Sequence, residues 1–123
     1  MLTTSAAKEL GRGLRFLRHA QNLTLRDVSK RSGLSPQYVQ NIERGERVGT
    51  TDEAFEKLAA GYGVPFDIVS DLLLKARVVS ALDARGLDPE AQGFIWRGVE
   101  QRLSERGVAI RTDIATIVAS LIG

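Results

Sequence analysis

The sequence predicts an all-α fold, and three observations carry that reading. Apolar residues recur at helical spacing, as in Leu10, Leu14 and Leu17, and again in Ile114, Ile117, Val118, Leu121 and Ile122. Capping residues and glycines punctuate the chain at intervals of one helix, with Thr24, Ser35 and Asp88 as candidate N-caps and Gly45, Gly86 and Gly107 as stops. No alternating strand pattern of useful length occurs apart from the short Val108-Ala109-Ile110.

Helix one is expected from about Ser5 to Gln21, with the first seven residues frayed. Gly11 and Gly13 weaken it by roughly 1 kcal/mol each relative to Ala and leave room for close backbone approach. The stretch from Leu23 to Arg44 reads as two short helices meeting at Gly33-Leu34. Thr24 caps the first of them, and Asp27 suits its positive end. Ser35 caps the second, with Pro36 at the first helical position, where a missing N–H costs nothing. Leu25 and Val28 turn inward from the first, and Val39 and Ile42 from the second. Two short helices joined by a tight glycine turn form the unit that reads DNA in helix-turn-helix proteins.

Thr50 and Glu53 have the spacing of a capping box, so helix four is expected to start near Thr51. It ends around Tyr62-Gly63 and buries Phe55, Leu58 and Ala59. Pro65 opens helix five, in which Leu72, Leu73, Leu74, Ala76, Val78, Val79, Ala81 and Leu82 follow with few charges between them. A helix apolar around most of its circumference needs cover on more than one side. Asp88 caps helix six with Pro89 behind it, and Ile95, Trp96, Val99 and Leu103 line one of its faces. Thr112 or Asp113 starts a last helix. We place a soft boundary between about Val69 and Ala76, giving a domain at 1–70 and a helical region at 71–123.

With 123 residues, 43% hydrophobic and 26% charged, the chain has the composition of a soluble globular protein. It has no cysteine and a single histidine, His19, so neither a disulfide framework nor a transition-metal site is expected. Gly11-x-Gly13 lacks the third glycine of a dinucleotide site. No cofactor, small-molecule ligand, membrane segment or signal peptide is evident, and we expect a cytoplasmic protein without enzymatic activity. The net charge of +2 hides an asymmetry: residues 1–47 carry nine Lys/Arg against four Asp/Glu, and residues 48–123 carry eight against eleven. The basic half holds the helix pair, which suits a polyanionic partner.

Leu14-Arg15-Phe16-Leu17-Arg18, Leu23-Thr24-Leu25, Gly33-Leu34-Ser35, Tyr38-Val39 and Ile42-Glu43-Arg44-Gly45 resemble the XRE family, with Lys57-Leu58-Ala59-Ala60 and Gly63-Val64 extending the likeness across roughly residues 8–70. The resemblance implies a five-helix domain like that of the lambdoid phage repressors, acting as a sequence-specific transcription regulator. It implies a salt bridge between Arg18 and Glu43. Gln37 and Asn41 match the principal base-reading positions, flanked by Ser35 and Gln40. Val48-Gly49-Thr50 departs from the family pattern, where a proline is frequent.

On helix three the outward positions are Gln37, Tyr38, Gln40 and Asn41. Gln and Asn pair bidentately with adenine, and each good pair discriminates by about 1–3 kcal/mol. Tyr38 is suited either to stacking on a sugar or thymine methyl, or to packing its ring while its hydroxyl meets a phosphate. Thr24, Arg26, Arg44, Arg47 and Arg12 are the candidate phosphate contacts. The expected partner is therefore double-stranded DNA, bound by a homodimer on a pseudo-palindrome, because one helix-turn-helix reads few bases. Leu74, Val78, Ile95, Trp96, Val99, Leu103, Ile114, Ile117, Val118 and Leu121 are the candidate dimer surface, although the same stripes would serve a self-contained bundle. Two rival readings are an antitoxin that represses its own operon and an adaptor that uses the fold for protein contacts.

Overall fold

The computed structural model describes residues 2–46 and 51–110. Within them the chain forms six helices: α1 (Thr4–Ala20), α2 (Leu25–Ser32), α3 (Pro36–Glu43), α4 (Asp52–Tyr62), α5 (Phe66–Ala84) and α6 (Pro89–Glu105). No strand occurs among the described residues, so the all-α expectation holds. Val108-Ala109-Ile110 has no regular structure. The expected last helix from Thr112, and with it Ile114, Ile117, Val118 and Leu121, lies outside the described residues.

The core is built from the inward stripe of each helix. Leu10, Leu14 and Leu17 of α1 meet Val28 of α2, Val39 and Ile42 of α3, Phe55, Leu58 and Tyr62 of α4, and Ile68, Val69, Leu72, Leu73 and Ala76 of α5 in one buried cluster. Helix α1 packs on α3 and α5, while α4 packs on α2 and α5. The expected boundary near residue 70 falls inside α5, which runs without a break from Phe66 to Ala84. Its first half belongs to the core through Leu72, Leu73 and Ala76; α6 packs on its far end.

Gly11 explains how α1 and α3 come so close. A Cβ there would overlap the backbone of α3, lying 2.5 Å from the Ile42 carbonyl oxygen and against the Glu43 carbonyl. Gly13 has no such role, since its Cβ would make ordinary contact with Leu72 at 3.4 Å. Gly45 ends α3 in the left-handed region at φ 72° and lies over Lys8 of α1, which leaves no room for a side chain.

Two expectations about helix starts are corrected. The N-terminus does not fray after Met1: Thr3 caps α1, Ala6 and Ala7 are buried, and Thr3 and Ser5 bond to the end of α5. Helix α4 is capped by Thr51, whose hydroxyl accepts from the Ala54 N–H at 3.2 Å. Glu53 is then the second helical residue, too early for a box, and it pairs with Lys57 at 3.5 Å instead.

Candidate nucleic-acid interface

Helices α2 and α3 are fixed relative to each other by side-chain bonds across a turn that passes through the left-handed Gly33. Thr24 and Asp27 form a reciprocal cap on α2: the Thr24 N–H donates to Asp27 Oδ2 at 2.8 Å, and the Asp27 N–H donates to Thr24 Oγ1 at 3.1 Å. The Thr24 N–H foremost, and next the Thr24 hydroxyl, hold the Asp27 carboxyl below its ordinary range. Gly33 closes α2 in the left-handed region at φ 78°. The turn is then stapled twice, by Ser29 Oγ donating to the Leu34 carbonyl at 2.6 Å and by the Leu34 N–H donating to Ser32 Oγ at 3.1 Å. Ser35 starts α3 by accepting from the Tyr38 N–H at 3.1 Å.

Helix α3 presents two contrasting faces. Val39 and Ile42 are buried in the core, and Gln37 is exposed on the opposite side. The Gln37 side-chain amide donates to Asn41 Oδ1 at 2.8 Å, one helical turn on. Gln37 keeps its oxygen and one N–H for other partners, and Asn41 keeps both N–H groups. Tyr38 is half-buried with its ring against the edge of the core, closer to the packing role than to free stacking. Gln40 turns toward α1 and α2, where it lines a cleft of about 90 Å³ with Arg15, Arg18, Leu25, Glu43 and Arg44.

Beneath that cleft sits a buried polar triad. Arg18 Nε donates to both carboxylate oxygens of Glu43, at 3.1 and 2.9 Å, and Arg18 Nη2 donates to Oε1 at 2.9 Å. The Glu43 side chain is 3% exposed, so its charge would be costly without these donors. Tyr62 supplies another, its hydroxyl donating to Glu43 Oε2 at 2.8 Å. Burial, reinforced by the Glu43 charge, raises the Tyr62 phenol far above its ordinary range and keeps it a donor. Arg18 Nη1 also reaches the Leu23 carbonyl at 3.1 Å. One carboxylate thus locks α1, α3 and α4 together and sets the angle of α3.

Residues 9–72 match the family described as helix-turn-helix domain. The chain belongs to that family. It is the XRE-like type, a family of DNA-binding transcription regulators. Among solved structures, the chain is similar to the restriction-modification controller protein C.AhdI from Aeromonas hydrophila, at 31% identity over 50% of this chain and 92% of that one, with a TM-score of 0.48. It is also similar to the clp gene regulator ClgR from Corynebacterium glutamicum, at 29% identity over 79% of this chain and 93% of that one, with a TM-score of 0.49. No curated protein matches the chain.

In this helix-turn-helix chain the sequence-derived phosphate candidates divide. Arg26 and Arg44 are exposed at the start of α2 and the end of α3. Thr24 is exposed, but its N–H and its hydroxyl both serve the Asp27 carboxylate, which leaves it little to offer a phosphate. Arg12 is exposed along a different groove, between α1 and α5, with Glu9, Gly13, Leu72, Lys75 and Ala76. Arg47 lies outside the described residues. Sequence reasoning passed over Arg15, which joins Arg44 and Gln40 at the α3 cleft. Its signal was available, since Arg15 stands three residues before Arg18 and shares its helix face.

The candidate dimer residues divide too. Leu74 and Ile95 are exposed, and Val78, Val99 and Leu103 are half-buried. Trp96 differs: it is 5% exposed in the single chain, with the Lys75 ammonium of α5 6.0 Å from its ring centroid, which suits the self-contained alternative better than an open dimer surface. Phe94, which the apolar stripe of helix six left out, is 74% exposed. Among the described residues no group of three or more His, Cys, Asp and Glu is placed to hold a metal ion, and no helix is long and apolar enough to cross a membrane.

Proposed function

We propose that the chain is a sequence-specific repressor that binds a pseudo-palindromic operator as a homodimer, with α3 lying in the major groove. The observation that carries this reading is the outer face of α3. Gln37 stands exposed there and bonded to Asn41, two amides of the kind that recognise adenine edges, while the inner face anchors in the core. Ser35, Tyr38 and Gln40 flank them. Arg26, Arg44 and Arg15 supply the surrounding positive charge that phosphates require, with Thr24 exposed beside Arg26. Arg18 and Glu43 hold the reader's angle. Residues 71–123 serve as the dimerisation region, supported by the exposed Leu74, Ile95 and Phe94 on α5 and α6. A two-fold dimer would then place its half-sites about one helical turn, ~34 Å, or a multiple apart.

The test is selection of bound duplexes from a random pool by the full chain, with sedimentation in parallel. Recovery of an inverted repeat by a dimer supports the reading. Salt-dependent binding without any preferred sequence would remove the specific-regulator reading, and a monomer at all concentrations would remove the homodimer.

A further inference from the structure

Near the C-terminal end of α5, Asp83 gathers three parts of the chain onto one carboxylate. Its Oδ2 accepts from the hydroxyls of Thr3 and Ser5, each at 2.6 Å. Its Oδ1 accepts from the Gln92 amide at 2.6 Å, and the same Gln92 nitrogen donates to the Leu87 carbonyl at 2.8 Å. One turn earlier on α5, Ser80 Oγ accepts from the Thr3 backbone N–H at 2.7 Å. Thr3 is the cap of α1 and Gln92 lies at the start of α6, so this carboxylate joins the start of α1, the end of α5 and the start of α6. The donors hold the Asp83 carboxyl below its ordinary range, Ser5 contributing most, then Thr3 and Gln92.

A second link follows the same route. Lys75 Nζ lies 3.3 Å from Glu9 Oε1 of α1 and over the Trp96 ring of α6. Trp96 is the buried residue of α6, whereas every other helix buries two or more. Among the described residues, the posture of α6 therefore depends on these polar links to a degree that the other helices do not share.

From this geometry we infer that Asp83 is a positioning residue that sets operator spacing: it clamps α6 at a fixed angle to the reading body, and so fixes how far apart the two α3 helices of a dimer stand. The inference rests on the dimer reading above, in which α5 and α6 carry the two-fold. The path from the two-fold to each reading helix then runs through the corner between α5 and α6. A small rotation at that corner becomes a displacement at α3. Each added base pair moves a half-site by about 3.4 Å and turns it by roughly 35°. A stiff corner cannot follow such a change, and the second half-site is lost; a loosened corner can follow it.

The test uses the full chain and the half-site obtained by selection, placed in duplexes at the selected spacing and with two base pairs inserted or removed. Three variants cut the clamp: Asp83→Ala at the node, Gln92→Met on the α6 side, and Thr3→Val with Ser5→Ala on the α1 side. The last two leave the carboxylate and the buried core in place, so they read the clamp even if Asp83→Ala fails to fold. The wild type is expected to lose about 100-fold in affinity on the altered spacings, as a bivalent binder does when geometry forbids the second contact. The variants are expected to lose less than about tenfold there, with affinity for an isolated half-site unchanged. Variants that keep the full wild-type loss would overturn the clamp and leave the dimer reading intact. A wild type indifferent to spacing would overturn the dimer reading, and the clamp with it.

Discussion

Gln37 and Asn41 face solvent as a bonded pair, the amide of the first donating to the side-chain oxygen of the second at 2.8 Å. Each holds the other's rotamer before any ligand arrives, which lowers the ordering cost of binding. Gln37→Ala and Asn41→Ala are each expected to weaken binding to the selected site by about 1–3 kcal/mol while leaving affinity for random duplex nearly unchanged. Because the two touch, their effects should not add. A double-mutant cycle on selected and random DNA checks this; equal losses on both DNAs would reject the assignment.

The buried Glu43 carboxylate makes a different demand. Replacing Arg18 with Met leaves that charge short of its strongest partner, and the expected loss of stability is about 3–5 kcal/mol. Tyr62→Phe removes one donor to the same group and should cost about 1–3 kcal/mol. Urea unfolding measures both, and Arg18→Met should show the larger fall in midpoint.

Gly11→Ala tests the contact between α1 and α3. Alanine favours a helix by roughly 1 kcal/mol over glycine, yet here its methyl would meet the Ile42 and Glu43 carbonyls. We expect net destabilisation of about 1–3 kcal/mol, the usual range for overpacking. Gly13→Ala, where the added methyl meets Leu72 at an ordinary distance, is the control and should be stabilising. Denaturant midpoints of the two variants should move in opposite directions.

Salt dependence separates phosphate contacts from other charges. Arg44→Ala and Arg15→Ala should each reduce the slope of log affinity against log salt by about 1. Arg12→Ala, facing the α1–α5 groove, should change it less. Titrations at several salt concentrations give the slopes, and an unchanged slope for Arg44→Ala would exclude it from the interface.

Asp27 ties the stability of α2 to pH. Its folded-state pKa is lowered from 3.8, chiefly by the Thr24 N–H and next by the Thr24 hydroxyl, with Arg31 and Lys30 adding to it. A lowered value means the stabilisation is fully present above the unfolded pKa and is lost as pH falls through the folded one. Asp27→Ala should therefore be less stable than wild type at neutral pH, and the gap should narrow below pH 3.8. Unfolding midpoints across pH 2–7 for both proteins follow the gap directly.

Much of the architecture is legible from local chemistry. Caps such as Thr24, Ser35 and Asp88 act within three residues of themselves, so the starts of α2, α3 and α6 are readable directly. Where two candidates stand side by side, as with Thr50 and Thr51, nothing local separates them, and the cap falls one residue from its expected place. Long-range polar partners are not readable at all. Tyr62 looks like the last apolar residue of a helix until Glu43 is seen beside it, and Asp83 looks like a solvated charge until Thr3, eighty residues away, is seen to bond to it. The stripe on α6 is visible, but whether Trp96 points home or outward depends on the angle between helices, which periodicity does not encode.

Helix α5 is at once a wall of the reader, through Leu72, Leu73 and Ala76, and the stem on which α6 is mounted. Residue 70 therefore lies within an unbroken helix that serves both the core and α6. A fragment cut at residue 70 would keep every residue proposed to read bases yet expose the floor of its own interior, which Leu72, Leu73 and Ala76 cover. An exchange of tails between such regulators, whether by evolution or by an engineer, would succeed only downstream of Ala76, and would carry along whatever angle the borrowed stem dictates.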